Sequence, residues 1–195
     1  MVSPRTPLLS QILSGTVLLY AAGVATYIGL HPEQYQWDFE IYYSAIGELQ
    51  AGHNPYEVLY LYPPLTLWVF SPFSLFTQPA ASVLYLILKS IAFLFLLSIW
   101  RKEFLPADNN TLLPVFLLFA FNATIYTDFA AGNISVFEQL FLWLAFSFLL
   151  KNRITWFCTL VIIAASFKLT LLGSTLNKHI KSLFLGLYLK STKSK

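Results

Sequence analysis

Between Arg5 and His31 the chain carries no charged residue. A run of that length supplies about 20 residues of apolar helix, enough to cross the hydrocarbon core of a bilayer. Backbone in lipid must satisfy its N–H and C=O groups within its own segment, so such a run folds as a helix. The first run, residues 11–30, is not the only one. Residues 80–100 follow, closed by Arg101 and Lys102; Lys89 inside that run does not interrupt it. Then come residues 112–128, residues 134–150 up to Lys151 and Arg153, and residues 154–172 with Lys168 near the end. Composition agrees: 57% of residues are hydrophobic and 11% charged, where a soluble domain has about 25% charged residues. The chain therefore reads as an all-α integral membrane protein, a polytopic helix bundle without a soluble domain or internal repeat. A cleaved leader is the competing reading of the first run. Ala21-Ala22-Gly23 is weakly cleavage-like, but Val24 to Leu30 continues the apolar stretch beyond the about 7–15 residues of a signal core. A retained first span is expected.

Residues 31–62 differ in kind. They hold five acids, Glu33, Asp38, Glu40, Glu48 and Glu57, and no Lys or Arg. Phe39, Tyr42, Tyr43, Ile46 and Leu49 recur at helical spacing, so residues 39–51 read as a short amphipathic helix. Asp38 stands at the N-cap position and Gly52 at the C-terminal stop. Such a helix is expected to lie on the membrane surface, aromatic side down. Residues 63–77 are apolar but broken by Pro63, Pro64 and Pro72, which suits a re-entrant element lining a protein cavity. With that segment dipping and not crossing, Arg5, Arg101, Lys102, Lys151 and Arg153 all fall on the cytoplasmic side. The acidic loop and Gly132 to Ser135 then face away from the cytoplasm. Residues 173–195 form a basic tail.

Several chemistries are disfavoured. The net charge is +3, with the bases scattered or in the tail, so the chain lacks the basic patch of a nucleic-acid binder. Cys158 is a lone cysteine in an apolar run and reads as a small buried hydrophobe. His53 has no convergent partners for a metal. The runs carry few paired intramembrane charges and no visible inverted repeat, so a transporter ranks last. Asp128 and Glu138 flank the Gly132 turn; acids at membrane depth are functional by default, yet both also suit an interface. Trp37, Tyr42, Tyr43 and Tyr56 read equally as an interfacial aromatic belt. On position alone Asp38 reads as a helix cap, worth about 1 kcal/mol.

Three short patterns change the weighting. Asp38-Phe39 with Tyr42-Tyr43 and Ala45 gives D-F-x-x-Y-Y-x-A; Gly52 to Tyr56 gives G-x-N-P-Y; Tyr62 to Leu65 gives Y-P-P-L. Together they resemble glycosyltransferase family 87, polyprenyl-phosphate-mannose-dependent mannosyltransferases of the GT-C membrane fold. A later family element, G-Q-x-N, is matched in drifted form by Gly132-Asn133-Ile134-Ser135. A further one, Lys after a small-residue helix, is matched by Ala164 to Lys168, without the usual following Pro. The resemblance runs from about Tyr35 to Leu172; the Ser/Lys-rich tail lies outside it.

What the resemblance implies is specific. The fold is expected to resemble the N-terminal module of the GT-C bundle. The reaction is expected to move a hexose, mannose in the family, from a polyprenyl phosphate to a glycolipid or other glycan acceptor outside the cytoplasm, with no cofactor or metal. Asp38 is the expected general base, a contribution of about 10²–10⁴-fold. Trp37, Tyr42, Tyr43, Asn54, Tyr56, Tyr62, Asn133 and Lys168 are the expected substrate and donor contacts, Lys168 meeting the phosphate as a point charge. Family members are about twice as long, so this chain is expected to match their first half, with a second chain supplying further helices. The competing reading is a non-catalytic membrane protein whose acidic loop contacts a partner. The expected location is the plasma (inner) membrane.

Overall fold

A computed structural model describes residues 8–58, 60–105, 112–121 and 124–167. Their regular structure is helical: α1 Leu8–Leu30, α2 Trp37–Gln50, α3 Pro64–Phe70, α4 Gln78–Ile99, α5 Leu112–Phe121, α6 Thr124–Ala131, α7 Ser135–Leu150 and α8 Ile154–Phe167. Among these residues, two helices are long and apolar enough to cross a membrane: Gln11–Leu30, and α4 with the π-helical turn Trp100–Phe104 that extends it. The residues of the expected spans 11–30, 80–100 and 134–150 are helical, as α1, α4 and α7, and α7, at 16 residues, is shorter than those two span-length helices. Within the expected span at 112–128 the described residues are helical, α5 up to Phe121 and α6 from Thr124, with residues 122 and 123 outside the described residues. Lys168 and the basic tail lie outside the described residues.

Turn chemistry sets the helix ends. Gly52 has φ +79, and the Gly52 and His53 amides donate to the Leu49 and Glu48 carbonyls, a Schellman closure of α2. Asn152, at φ 55, closes α7 the same way, with Arg153 N–H on Phe148 O, and α8 follows antiparallel. Pro64 opens α3, and Pro72 sits in the first turn of the 3₁₀ segment Ser71–Leu75. Both are places where a missing N–H costs nothing. The prolines thus start short helices and produce the broken element expected at residues 63–77.

Two packed clusters make the core. One joins α1, α4, α5, α6 and α7 through Val17, Ile28, Phe93, Leu96, Leu117 and Phe129. The other is aromatic, with Phe39, Tyr42, Tyr60, Phe70, Tyr85 and Phe167 at its centre. Phe39 stacks on Tyr85 at 4.7 Å, and Tyr42 meets Phe70 at 4.6 Å and Tyr62 at 4.9 Å. This corrects the expectation for α2. Its apolar side, Phe39, Tyr42, Ala45 and Ile46, is buried in protein and not laid on a lipid surface. The amphipathic pattern identified an apolar face; α3, α4 and the 3₁₀ turn cover it.

Lys151 Nζ pairs with Glu103 at 2.6 Å, which brings the basic ends of α4 and α7 together. Arg101, Lys102, Lys151 and Arg153 are all exposed at that end. The acids Glu33, Asp38 and Glu40 belong to the opposite end, where α1 leads into α2.

Candidate functional site: a cleft at the junction of α2 and α6

The C-terminal turn of α6 organises the site. A helix leaves its last carbonyls without intrahelical partners, and here three of them are filled from outside. Gly132, at φ +71, turns the chain out of α6; its N–H donates to Phe129 O, and Asn133 N–H donates to Asp128 O. Gln36 takes the next bonds: its side-chain Nε2 donates to Phe129 O at 2.8 Å and its backbone N–H to Ala130 O at 2.6 Å. Lys89, from the middle of α4, donates to Asp128 O at 2.5 Å and pairs with Asp128 Oδ2 at 2.8 Å. Its ammonium also lies 5.0 Å from the Phe129 ring centroid. A cation at a helix C-terminus is favoured by the helix dipole.

Gln36 is itself left-handed, φ 66, an uncommon state for a residue with a side chain. It is the N-cap residue of α2, so this twist starts α2 against α6. Asp38 therefore sits in the first turn of α2 and not at the N-cap, where no side chain caps the helix. Its Oδ2 accepts a hydrogen bond from Asn133 Nδ2 at 2.6 Å. Asn133 Oδ1 in turn accepts from Ser135 N–H at 3.1 Å and Ser135 Oγ at 2.6 Å. Tyr85 Oη donates to the Asn133 carbonyl at 3.0 Å. Two sequence blocks 95 positions apart are joined here.

Asp38 and Asn133 open onto a cleft of about 580 Å³ lined by Trp37, Asp38, Thr124, Thr127, Asp128, Ala131, Asn133 and Ser135. The lining offers an exposed indole, two carboxylates, an amide and three hydroxyls. That set suits sugar hydroxyls, which ask for acceptors and donors beside an apolar wall. Lys89 is fully buried behind Asp128 and does not line it.

The other expected contacts are distributed unevenly. Trp37, Asp38 and Asn133 meet in the cleft. Tyr42 is 1% exposed and belongs to the aromatic core. Tyr43 is half-buried and donates to Phe76 O at 2.8 Å, tying α2 to the 3₁₀ turn. Tyr62 packs on Tyr42 and Tyr60. Asn54 and Tyr56 follow the far end of α2, about 20 Å along its axis from Asp38. There Asn54 Oδ1 accepts the Tyr56 N–H in a local turn. Burial pushes the Tyr42 phenol well above the usual tyrosine range and pushes Tyr60, which shares a hydrogen bond with Thr66, up to about 12. Among the described residues no group of three or more His, Cys, Asp and Glu side chains converges as a metal site. Sequence reasoning missed Gln36 and the Lys89–Asp128 pair. A lysine in an otherwise apolar helix is a signal for a buried partner.

The fold and cleft define a class first: an all-α bundle whose polar groups converge at one helix junction near an acidic connection. The family model for glycosyltransferase family 87 matches residues 60–189. The chain belongs to glycosyltransferase family 87. No curated protein and no solved structure matches it. The matched range contains Asn133 and the Lys89–Asp128 pair, and it begins after Asp38. It also runs past Leu172, so most of the tail that looked foreign to the family falls within it.

Proposed function

We propose that the chain is a multi-pass membrane glycosyltransferase of the GT-C type. It moves a hexose, mannose on the family resemblance, from a polyprenyl phosphate to a glycolipid or other glycan acceptor on the extracytoplasmic side of the plasma membrane. Family membership supports glycosyl transfer. Membrane residence is supported by outward rows such as Val83, Ile87, Ile91, Leu94 and Phe95 on α4, all exposed. Contiguous apolar surface of this kind is rare on a soluble monomer. The orientation is supported by the exposed basic end opposite the acidic one.

The observation that carries the mechanism is Asp38 at the cleft, held through one oxygen by Asn133. The acceptor hydroxyl oxygen attacks the anomeric carbon of the donor sugar. Asp38 takes the hydroxyl proton as the new C–O bond forms, and the bond to the phosphate oxygen breaks with its electron pair. Polyprenyl phosphate leaves. Trp37 walls the sugar, and Asp128 meets a hydroxyl. Lys168 is the proposed contact to the donor phosphate.

The test uses membranes carrying the full chain, a radiolabelled polyprenyl-phosphate-mannose donor and a glycolipid acceptor. Transfer is expected, and Asp38→Asn is expected to lower it by about 10²–10⁴-fold. Transfer at near wild-type rate in Asp38→Asn removes Asp38 as the base. No transfer by the wild-type chain, with or without added family members, refutes the enzyme and favours the non-catalytic reading.

A further inference from the structure

The Asn133 amide has no freedom to choose its partners. Its oxygen accepts two bonds from Ser135, one of them from a backbone N–H that can only donate. Turning the amide over would set its NH₂ against that N–H and its oxygen against the Asp38 carboxylate. The orientation is therefore fixed, and Nδ2 points at Asp38 Oδ2, 2.6 Å away.

The backbone that carries Asn133 is fixed as well. Its N–H is bonded to Asp128 O and its carbonyl receives Tyr85 Oη. Asp128 O is in turn held by Lys89. On the other side of the joint, Gln36 docks the start of α2 on the same turn, two residues before Asp38. A Cβ on Gly132 would come within 2.9 Å of Gln36 Oε1 and 3.0 Å of Phe39 Cβ, so the two segments are in van der Waals contact. Every element of this joint converges on the relative placement of one amide and one carboxylate.

We infer that Asn133 is a positioning residue: it aims the Asp38 carboxylate into the cleft, with Ser135 locking the amide, and its main task is not to bind substrate. The hydrogen bond to Asp38 Oδ2 takes up one oxygen and fixes the plane of the carboxylate, leaving Oδ1 as the oxygen that meets the acceptor hydroxyl. This inference rests on Asp38 being the base.

The experiment is a kinetic cycle on the full chain in membranes, with wild type, Asp38→Asn, Asn133→Ala, Ser135→Ala and the double variant Asp38→Asn/Asn133→Ala. Asn133→Ala is expected to lower kcat by about 10–100-fold, the range for a hydrogen bond to a charged group, with donor and acceptor KM unchanged. Ser135→Ala is expected to lower kcat less, again at constant KM. In the Asp38→Asn background, Asn133→Ala is expected to cost under threefold, because its effect runs through a carboxylate that is gone. A raised KM with kcat preserved makes Asn133 a substrate contact and overturns the inference, as does a full, independent loss on top of Asp38→Asn. Should Asn133→Ala fail to reach the membrane, Ser135→Ala decides by the same kcat-against-KM split. An Asp38→Asn chain that transfers normally fails the underlying mechanism instead, whatever Asn133 does.

Discussion

Lys89 gives the most demanding test of this architecture. It lies eleven positions into α4, about 16 Å along the axis from Gln78, near the middle of a helix long and apolar enough to cross a membrane. Its side chain is fully buried, and it pairs with Asp128, whose side chain is 14% exposed. Lys89→Met keeps the bulk of the stem and removes the ammonium. Asp128 then keeps a carboxylate without a cation, and its backbone carbonyl loses the 2.5 Å bond. Breaking a buried pair from one side costs about 3–5 kcal/mol, whereas removing both charges is often nearly neutral. Lys89→Met is therefore expected to lose about 3–5 kcal/mol, and Lys89→Met/Asp128→Asn to recover about 2–3 kcal/mol of it, a coupling typical of groups in direct contact. Equilibrium unfolding in mixed micelles, followed by tryptophan fluorescence, reads both numbers. A single-variant loss below about 1 kcal/mol, or a double variant that loses the sum of the singles, refutes the buried ion pair as the support of the α6 turn.

Two further outcomes test the joint and the aromatic core. Gly132→Ala puts a side chain at φ +71 and within 3.2 Å of Gln36 Cα. The left-handed residue costs about 1–2 kcal/mol and the overlap about 1–3 kcal/mol; an unfolding midpoint equal to wild type contradicts the docked geometry. Burial keeps Tyr42 and Tyr60 protonated above the ordinary tyrosine pKa. Between pH 10 and about 12 the folded chain binds more protons than the unfolded one, so stability is constant below pH 10 and falls as pH rises through that window. Unfolding midpoints at pH 8, 10 and 11.5 should fall only across the last interval, less steeply in Tyr60→Phe, and a flat profile rejects the buried phenols.

Much of this was legible in the sequence because the signals are local. Apolar runs located α1, α4 and α7, the five-acid stretch located the connection that carries α2, and Gly52 and the prolines marked where helices stop and start. Asp38 and Asn133 were each singled out from short patterns. That they touch was not readable, because no periodicity links positions 95 apart. The fate of α2 was misread for a related reason. Its pattern states that Phe39, Tyr42 and Ile46 want an apolar neighbour, and nothing in the pattern distinguishes lipid from Phe70 and Tyr85.

The end of α6 is what makes the site possible. An uninterrupted helix presents side chains to its surroundings and keeps its carbonyls to itself. A helix that ends beside α4 presents three carbonyls at one point, and each attracts a donor from a different part of the chain: Lys89 from α4, Gln36 from the acidic connection, and the Gly132–Asn133 amides from the turn into α7. Unsatisfied carbonyls at depth are costly, so the energy that fills them also fixes where α2 begins. Asp38 is two residues beyond that anchor. Its placement follows from satisfying backbone groups that the end of α6 exposes, and the carboxylate sits at the cleft because that helix stops at Ala131.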